Sequence, residues 1–382
     1  MRTIKAAVIG AGFIGPAHVE ALRRLGFVEV VALVDADKPR LEQKAAALSI
    51  PRAYDDYRKA LDDTDIEVVH NCSPNNVHFE INTAILNAGK HCVSEKPLAM
   101  NTKESKALVD LAKKTKLVNA INFCYRFYPL SQQAKAMVDA GEVGELYAAH
   151  GSYLQDWLFF ETDYSWRLEP EMSGESCCVA DIGSHWCDLV QFITGRKIVE
   201  VMGDLQTTHK TRKRPKAALE AFAGKILTAA DYEDVQIRTD DYANVLVRFD
   251  SGARGTFSVS QVSAGRKNRL YYEIDGAKCA VSADLEKPNE LWIGYRQKTN
   301  EVMIKDPSLL KPEVRSYAHY PGGHPEGYPD GPKNLFRNVY MKVAGDPNAL
   351  PFPTFEDGHR AVAIVDAIVA SSRAGKWTKV VY

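Results

Sequence analysis

Apolar runs with the length of strands alternate with amphipathic segments along the first 126 residues. Runs such as "TIKAAVIG" (3–10), "VEVVALVD" (28–35) and "IEVVHNCS" (66–73) have the length and composition of buried strands. Each is followed by an amphipathic segment with helical spacing. The pattern predicts further strands near Ala53, at 91–95 and at 118–126, and further helices at 38–48, 55–62, 78–88 and 102–116. Apolar strands that alternate with helices predict a parallel sheet covered on both faces.

After about residue 143 the pattern changes to longer strands in which apolar and polar residues alternate. "DYANVLVRFDSGARGTFSVSQVS" (241–263) and "RLYYEIDGAKCAVSAD" (269–284) each contain a turn, "DSG" or "DGA", that predicts an antiparallel hairpin. Helices are predicted at 182–194 and 357–374. We therefore expect a second, α+β domain with a large open, mostly antiparallel sheet.

The segment "GAGFIG" joins the first predicted strand to the first predicted helix. In this setting Gly10 makes a tight turn, Gly12 lets the backbone approach a pyrophosphate, and Gly15 permits close packing of helix on strand. The helix N-terminus favours the phosphate charge. The motif predicts a Rossmann dinucleotide-binding domain at residues 1–127, with the cofactor bound at Gly10, Gly12, Phe13, Ile14 and Gly15. Residues 128–382 are then expected to form a domain for substrate binding and oligomerisation. Its helix 357–374 is expected to pack back on the first domain.

Asp35 ends the second strand, twenty residues after Gly15. A carboxylate at this position accepts hydrogen bonds from the adenosine ribose and repels a 2′-phosphate. The next residues, Ala36 and Asp37, supply no arginine for that phosphate. The prediction is NAD rather than NADP.

Two further strand ends are expected at the same edge of the sheet, where ligands bind in open α/β folds. In "CSPNNVH" (72–78), Ser73, Pro74, Asn75 and His78 are candidates for the cofactor crevice, although His78 could equally hydrogen-bond locally at a helix start. In "SEKPLAM" (94–100), Glu95 and Lys96 face the same crevice, and Pro97 ends the strand because it lacks an N–H.

A second group of polar residues lies in "SGESCCVADIGSHWCDLVQFITG" (173–195). Asp181 and His185 are four residues apart and share a face of a continuous helix, and Asp188 is a weaker candidate one turn on. A histidine near a helix start more often makes a structural hydrogen bond than it catalyses, so both interpretations stay open.

Composition and charge exclude several classes of partner. The 382 residues carry a net charge of −1 and are 45% hydrophobic and 25% charged, so no global field attracts nucleic acid or an anionic membrane. The basic run "HKTRKRPK" (209–216) reads as a solvated loop. No leader or membrane span is apparent, and the seven cysteines form no CxxC pair, so a cytoplasmic protein is expected. A zinc site from Cys177, Cys178, His185 and Cys187 has no usual ligand spacing, and no metal is expected.

Taken in order, GxGxxG, Asp35, "SPNNVH", "EKP", "YRF" (125–127), "WR" (166–167) and "DIGSHWCDL" resemble the Gfo/Idh/MocA oxidoreductase family over nearly the whole chain. The resemblance implies that Lys96, Asp181 and His185 form the catalytic group. It also implies that Tyr125, Arg126, Trp166 and Arg167 lie near the nicotinamide end, and that Tyr125 binds the substrate together with Lys96, Asp181 and His185. The lead-in "SGESCCVAD" is bulkier than the family's usual glycine-rich segment.

"YLQDWL" (153–158) and "GHPEGY" (323–328) resemble members of the family that act on glycosides and anhydrosugars. The resemblance implies that Gln155, Asp156, and His319 or His324 donate or accept hydrogen bonds at sugar hydroxyls. A rigid structural turn is the alternative for the His-Pro loop.

The expected activity is that of an NAD(P)-dependent sugar or glycoside dehydrogenase that oxidises a secondary hydroxyl. A redox-assisted glycoside hydrolase and a non-catalytic NAD/sugar sensor are the alternatives; net NADH formation separates the first two, and the intact Lys96, Asp181 and His185 set argues against the sensor. An open sheet face carrying runs such as "YANVLVRF" predicts a homodimer or homotetramer.

Overall fold

The computed structural model describes residues 2–216 and 231–382 of the chain. These residues divide into two units, of which one comprises Met1–Cys124 and Pro329–Val362 and the other Tyr125–Tyr328 and Ala363–Tyr382. Residues 329–362 thus group with the N-terminal unit, which differs from the division at 127/128 that the sequence predicts.

The sheet of the N-terminal unit has six parallel strands in the order β3-β2-β1-β4-β5-β6. Its strands are β1 Ile4–Ile9, β2 Val28–Val34, β3 Arg52–Tyr54, β4 Val68–Asn71, β5 His91–Ser94 and β6 Asn119–Ile121. The first helices of the chain are α1 Ile14–Arg23, α2 Lys38–Ala47, α3 Tyr57–Asp62, α4 His78–Asn87 and α5 Thr102–Thr115. The order reverses between β1 and β4, so right-handed crossovers place the helices of the two halves on opposite faces.

Buried aliphatic residues on both faces explain why these strands read as continuous apolar runs. One core cluster joins side chains of the sheet with those of α4 and α5, among them Val69, Ile85 and Leu108. The predicted strand 118–126 is shorter than expected, since β6 stops at Ile121 and a 3₁₀ turn follows at Cys124–Phe127.

The second unit is built on a nine-stranded sheet in the order β16-β15-β14-β13-β7-β12-β11-β8-β17. The pair β7–β12 is parallel and the other neighbours are antiparallel. The strands are β7 Leu146–Leu154, β8 Ile198–Gln206, β9 Thr211–Pro215, β10 Tyr232–Gln236, β11 Tyr242–Phe249, β12 Arg254–Ser260, β13 Arg269–Gly276, β14 Ala280–Asp284, β15 Glu290–Gly294, β16 Glu301–Ile304 and β17 Thr378–Lys379. Strands β9 and β10 form a separate hairpin.

The helices of this unit are α6 Pro129–Asp139, α7 Pro170–Ser173 and α8 Ser184–Thr194. The sequence pattern did not reveal α6, which packs against α8. The basic run 209–216 mostly forms β9, where Lys213 and Arg214 pair with Asp234 and Glu233 of β10 rather than presenting a bare cationic surface.

Helix α9, Asp330–Val343, explains why residues 329–362 group with the N-terminal unit. Asp330 pairs at 2.6 Å with Arg24, the residue that follows α1, and the Phe336 ring lies 4.7 Å from the His18 ring. Helix α10, Phe355–Ala374, begins in the N-terminal unit, where Phe355 is part of the core, and its residues from Ala363 onward belong to the second unit.

The nine-stranded sheet has one buried and one exposed face, and its strand β11 illustrates the alternation. Ala243, Val245 and Val247 are buried, whereas Asn244 and Leu246 are exposed. The open face is therefore less apolar than the run "YANVLVRF" suggests, because its aliphatic residues mostly point inward. Among the described residues, no helix combines the length and hydropathy needed to cross a membrane.

Candidate active site

The turn after β1 can be built only with glycine at two of its positions. Gly10 has φ +99°, and a Cβ there would lie 2.3 Å from the carbonyl oxygen of Cys72. A Cβ on Gly15 would lie 2.0 Å from the carbonyl oxygen of Gly10. A Cβ on Gly12 would meet no protein atom within 4 Å, so the chain itself does not require glycine there. Phe13 is 61% exposed and, with Ile14, begins α1. This arrangement fits a dinucleotide whose pyrophosphate approaches the backbone at Gly12.

Asp35 is nearly buried and is bound from several sides. Its carboxylate accepts the N–H groups of Ala11 (2.7 Å) and Asp37 (2.9 Å), and it pairs with Arg40 through Nε (3.1 Å) and Nη2 (2.6 Å). Burial raises the pKa of Asp35, but the Arg40 guanidinium and the two N–H groups outweigh burial and hold that pKa below its ordinary value. Ala36 and Asp37 give no sign of this cation in the sequence, because it is Arg40, which the first turn of α2 brings back to the carboxylate.

The segment 73–78 is tied to the loop after β5 by one histidine. His78 is fully buried, and its Nδ1 lies 2.6 Å from the Pro97 carbonyl oxygen while its Nε2 lies 2.8 Å from that of Ser73. The structure therefore shows the local hydrogen bonding that the sequence left as one of two interpretations. Pro74 is exposed and Asn75 begins a 3₁₀ turn.

The loop after β5 carries Glu95 and Lys96, and the Lys96–Pro97 peptide bond is cis. Glu95 is buried, whereas Lys96 is half-buried. The Glu95 carboxylate accepts hydrogen bonds from His18 and Asn122 and from the main-chain N–H of Lys96 (3.1 Å). Burial raises the pKa of Glu95, but the hydrogen bonds from His18 and Asn122 and the Lys96 ammonium outweigh burial and lower that pKa to about 2. Glu95 is thus an anchored carboxylate.

Asp181 and His185 lie on one continuous helical run in the second unit. Residues Val179–Gly183 form a π-helical turn that passes directly into α8. The buried Asp240 carboxylate accepts the N–H groups of Cys177 (3.0 Å) and Val179 (2.9 Å) and so caps this run. Single π turns within helices are frequent at functional sites. Nothing in the sequence around Asp240 indicates that its carboxylate caps this helical run.

Gln261 and Arg167 contact the Asp181 carboxylate, and tyrosine rings pack near His185. Gln261 donates to Asp181 at 3.1 Å, and Arg167 lies 3.6 Å from its other oxygen. The His185 ring is 8% exposed and packs edge-on against the Tyr125 ring at 4.8 Å. Arg167 also stacks over the Trp166 ring at 4.5 Å. The predicted pair "WR" is therefore attached to Asp181 through its arginine.

A hydrogen-bonded group centred on Asn268 links Tyr125 to β7. Asn268 donates to the Tyr125 hydroxyl (3.1 Å), and its oxygen accepts from Tyr153 (2.6 Å) and Gln155 (2.8 Å). Trp157 donates to Gln155 at 2.8 Å. Gln155 and Tyr125 were predicted as substrate residues; Tyr153 and Asn268 were not. The alternation along β7 places Tyr153 at an inward-facing position, and this is the sequence signal that could have identified it as a site residue.

Arg126 takes part in a buried ion pair with Asp188. Its Nε lies 2.8 Å and its Nη2 2.5 Å from the carboxylate oxygens, with side-chain exposures of 10% and 5%. The family resemblance implies a place near the nicotinamide for Arg126, and the sequence makes Asp188 a weaker catalytic candidate. Their mutual, bidentate contact makes a role in fixing α8 the simpler interpretation of both.

The loop 319–326 encloses a buried lysine ammonium. Lys305 Nζ lies 2.9 Å from the carbonyl oxygens of Tyr320 and His324 and 2.9 Å from Glu326. Burial raises the pKa of Glu326, but hydrogen bonds from His319 and Lys305 lower it to about 2.

The three other predicted sugar-binding residues differ in how firmly they are held. His319 donates its main-chain N–H to Glu326, whereas the His324 side chain is exposed. Asp156 accepts from Lys267 (2.7 Å) and from the Gly265 N–H (3.0 Å), so its carboxylate is already engaged within its own unit. The Gln155 amide is engaged as well, by Asn268 and Trp157, so either side chain would have to exchange a partner to bind a sugar hydroxyl.

The cysteines proposed and set aside as zinc ligands are buried thiols. Burial raises the pKa of Cys177 and Cys178 well above the usual value, and Cys177 donates to Gln261. Among the described residues, His150, Glu273 and Asp275 form a group whose ligand atoms lie within 4.8 Å of one another, on partly exposed strand positions.

Comparison with known proteins places both units in one family. Residues 4–123 match the description "Oxidoreductase family, NAD-binding Rossmann fold", and residues 131–282 match "GFO/IDH/MocA C-terminal domain". The levoglucosan dehydrogenase of Pseudarthrobacter phenanthrenivorans is 27% identical over 100% of this chain and 99% of its own length.

Solved structures are similar over the same extent. A levoglucosan dehydrogenase in complex with NADH and L-sorbose superposes with a TM-score of 0.90 at 26% identity, and an oxidoreductase domain protein from Kribbella flavida superposes with 0.89 at 30% identity. In both cases 100% of each chain is covered. The predicted fold class, with its parallel N-terminal sheet and mostly antiparallel second sheet, is confirmed, as is NAD as the cofactor. The chain belongs to the Gfo/Idh/MocA family of NAD-binding oxidoreductases.

Proposed function

We propose that this oxidoreductase oxidises a secondary hydroxyl of a sugar or glycoside and transfers the hydride to NAD. The full-length similarity to a levoglucosan dehydrogenase carries the proposal. Further similarities, to a myo-inositol 2-dehydrogenase of Thermotoga maritima over 74% of this chain and to a glucose-6-phosphate 3-dehydrogenase of Bacillus subtilis over 95% of it, point to the same substrate class. All three names describe oxidation of a carbon that bears a hydroxyl group within a polyol.

The side chains of this chain divide the work by their chemistry. Lys96 stabilises the developing alkoxide, as a cationic hydrogen-bond donor can. His185 accepts the hydroxyl proton, since imidazole is the side chain whose ordinary pKa lies near neutral pH. Asp181, with Gln261 and Arg167 as its partners, orients His185 or completes the proton relay. Bound NAD supplies the hydride acceptor.

Removal of either central group tests these roles. Lys96→Ala and His185→Ala are expected to lower kcat by at least about a hundredfold, the usual range for a proton-transfer or charge-stabilising group, while NADH still binds. Exposed residues of the same types, Lys106→Ala and His150→Ala, serve as matched controls and should retain activity. Near-normal turnover in either test variant would contradict the assignment.

The substrate class is tested by NADH formation with a panel of free sugars, polyols, anhydrosugars and glycosides. Net NADH formation with at least one member, together with the corresponding keto-sugar, supports the dehydrogenase. Release of an aglycone without net NADH would overturn it in favour of redox-assisted glycoside cleavage. Binding of sugar and NAD with neither product would indicate a sensor.

The oligomeric state is proposed to be a homodimer or homotetramer formed through the open face of the nine-stranded sheet. Leu246 (48% exposed) lies on strand β11, and Val302 (54%) and Ile304 (47%) lie on the edge strand β16. Light scattering on wild type and on Leu246→Glu tests this; a monomeric mass for the wild type at micromolar concentration would contradict it.

A further inference from the structure

Four buried polar side chains form an unbroken line through the N-terminal unit. The Tyr340 hydroxyl lies 3.0 Å from His70 Nε2, the Nδ1 atoms of His70 and His18 lie 2.9 Å apart, and His18 Nε2 lies 2.9 Å from Glu95. Tyr340, His70 and His18 are 0% exposed, and Glu95 is 7% exposed. The comparisons and the proposed chemistry assign no role to the first three.

Elementary valence decides where the protons lie along this line. The ionised Glu95 can only accept, so His18 carries its proton on Nε2. A neutral His18 then presents a lone pair at Nδ1, and the 2.9 Å contact requires that His70 donates from its Nδ1. The remaining nitrogen of His70 must accept, so the Tyr340 hydroxyl donates to it. In this arrangement every group has a partner of the right kind.

The opposite arrangement leaves a buried group unsatisfied. A second proton on His18 would leave Nε2 as the donor to Glu95 but would make Nδ1 a donor to His70, and His70 would then donate from Nε2 to the Tyr340 oxygen. The Tyr340 proton would then need an acceptor, yet within residues 2–216 and 231–382 the hydrogen-bond partner of that hydroxyl is His70. His70 is neutral in both arrangements, in agreement with burial, which lowers the pKa of His70 well below its usual value.

Packing keeps water away from the two histidines. The Phe336 ring lies 4.7 Å from the His18 ring and 4.8 Å from the His70 ring. A buried hydrogen-bond chain in such surroundings is stronger than in water, and a mispaired one is correspondingly costly. The fold, rather than the solvent, therefore fixes the direction in which these side chains donate their hydrogen bonds.

We infer that Tyr340, His70 and His18 are positioning residues whose one-way hydrogen bonds hold Glu95 ionised and oriented, and through it fix the main chain at Lys96. The link is the second carboxylate oxygen of Glu95, which accepts the Lys96 N–H at 3.1 Å. The catalytic consequence of this placement rests on the proposed role of Lys96. The proton arrangement itself does not depend on that role.

Nitrogen-15 NMR of the histidine-labelled, full-length protein tests the proton arrangement directly. His70 is expected as the Nδ1–H tautomer and His18 as the Nε2–H tautomer at neutral pH. Signals are assigned with His18→Gln and His70→Gln variants. An Nε2–H tautomer at His70, or a doubly protonated His18, would overturn the inference whatever the substrate proves to be.

Kinetics test the positioning role. Tyr340→Phe removes the first donor and is expected to lower kcat about tenfold with little change in NADH affinity, because a small displacement of a catalytic group is costly. Tyr57→Phe, which removes an exposed hydroxyl bonded to Glu80 in the same unit, is the matched control and should leave kcat unchanged.

A conservative variant separates positioning from packing. His18→Gln retains one donor and one acceptor, whereas His18→Leu retains neither, so the glutamine variant should keep the larger share of wild-type kcat. Equal losses in the two variants, or wild-type kcat in Tyr340→Phe, would show that the chain serves stability alone and would overturn the positioning role.

Discussion

Replacement of Asp35 by serine should convert the cofactor preference of this protein, because a cation that can receive a 2′-phosphate is already in place. Arg40 reaches the Asp35 carboxylate through two nitrogens, at 2.6 and 3.1 Å, and its side chain is 41% exposed. In the wild type, Asp35 both occupies this guanidinium and repels a phosphate. Asp35→Ser removes the negative charge and leaves a hydroxyl that can accept the Ala11 N–H.

The size of the effect follows from two contributions. A carboxylate about 5 Å from a phosphate charge is repelled by roughly 3 kcal/mol at an effective dielectric constant of 20, and solvent exposure of the site reduces this to about 1–2 kcal/mol. A hydrogen-bonded arginine–phosphate contact adds about 1.5–2 kcal/mol. Together they amount to about 3 kcal/mol, so the ratio of the NADPH to NADH dissociation constants should fall about a hundredfold.

Fluorescence titration with NADH and NADPH measures this ratio, and initial rates with a saturating substrate give the corresponding change in kcat/KM. The double variant Asp35→Ser/Arg40→Gln is the control and should lose most of the gain for NADPH. If it binds NADPH as tightly as Asp35→Ser does, Arg40 is not the phosphate-binding group. An unchanged ratio in Asp35→Ser would refute the role of Asp35 itself.

Two further predictions concern stability. Asp188→Asn should destabilise the protein by about 3 kcal/mol in urea unfolding, since it leaves Arg126 buried without its charge partner; Lys135→Ala, in an exposed pair, should cost less than about 1 kcal/mol. The pKa of Glu326 is lowered in the folded state from 4.5 to about 2, so its contribution is present above pH 4.5 and is lost as the pH falls toward 2. Glu326→Gln should therefore destabilise at neutral pH, with a difference from wild type that shrinks over this interval; a constant difference would contradict the role of the Glu326–Lys305 pair.

The sequence could predict those features that depend on local spacing. Buried parallel strands are apolar throughout and end in polar residues, which is why Gly10, Asp35 and Lys96 could be placed at one sheet edge from the pattern alone. The antiparallel hairpins β11–β12 and β13–β14 were also predictable, since their turns carry glycine between alternating strands.

Features that depend on contacts between distant segments could not be predicted. Tyr340 lies 270 residues from His70, and nothing in helix α9 marks it as the partner of a residue in β4. The Asp240 carboxylate that caps the π turn comes from a loop 61 residues beyond Val179. The contact between Arg40 and Asp35 could not be predicted for another reason. The motif concerns the residues immediately after Asp35, whereas the first turn of α2 brings the side chain of Arg40 back to the Asp35 carboxylate.

The enclosed ammonium of Lys305 has a consequence for how this protein can diverge. The loop 319–326 is held by its carbonyl oxygens at Tyr320 and His324 and by one carboxylate, that of Glu326. Main-chain oxygens are the same whatever side chain they accompany. The exposed side chains of Tyr320 and His324 can therefore be varied in a selection for new substrates while the loop keeps its path, provided that Lys305 and Glu326 are retained. Gly322 and Gly323 must also be kept, because a Cβ on Gly322 would lie 2.5 Å from Asp306 and Gly323 has φ +79°. The loop thus contains positions that can change in evolution while Lys305, which lies outside the loop, keeps it in place.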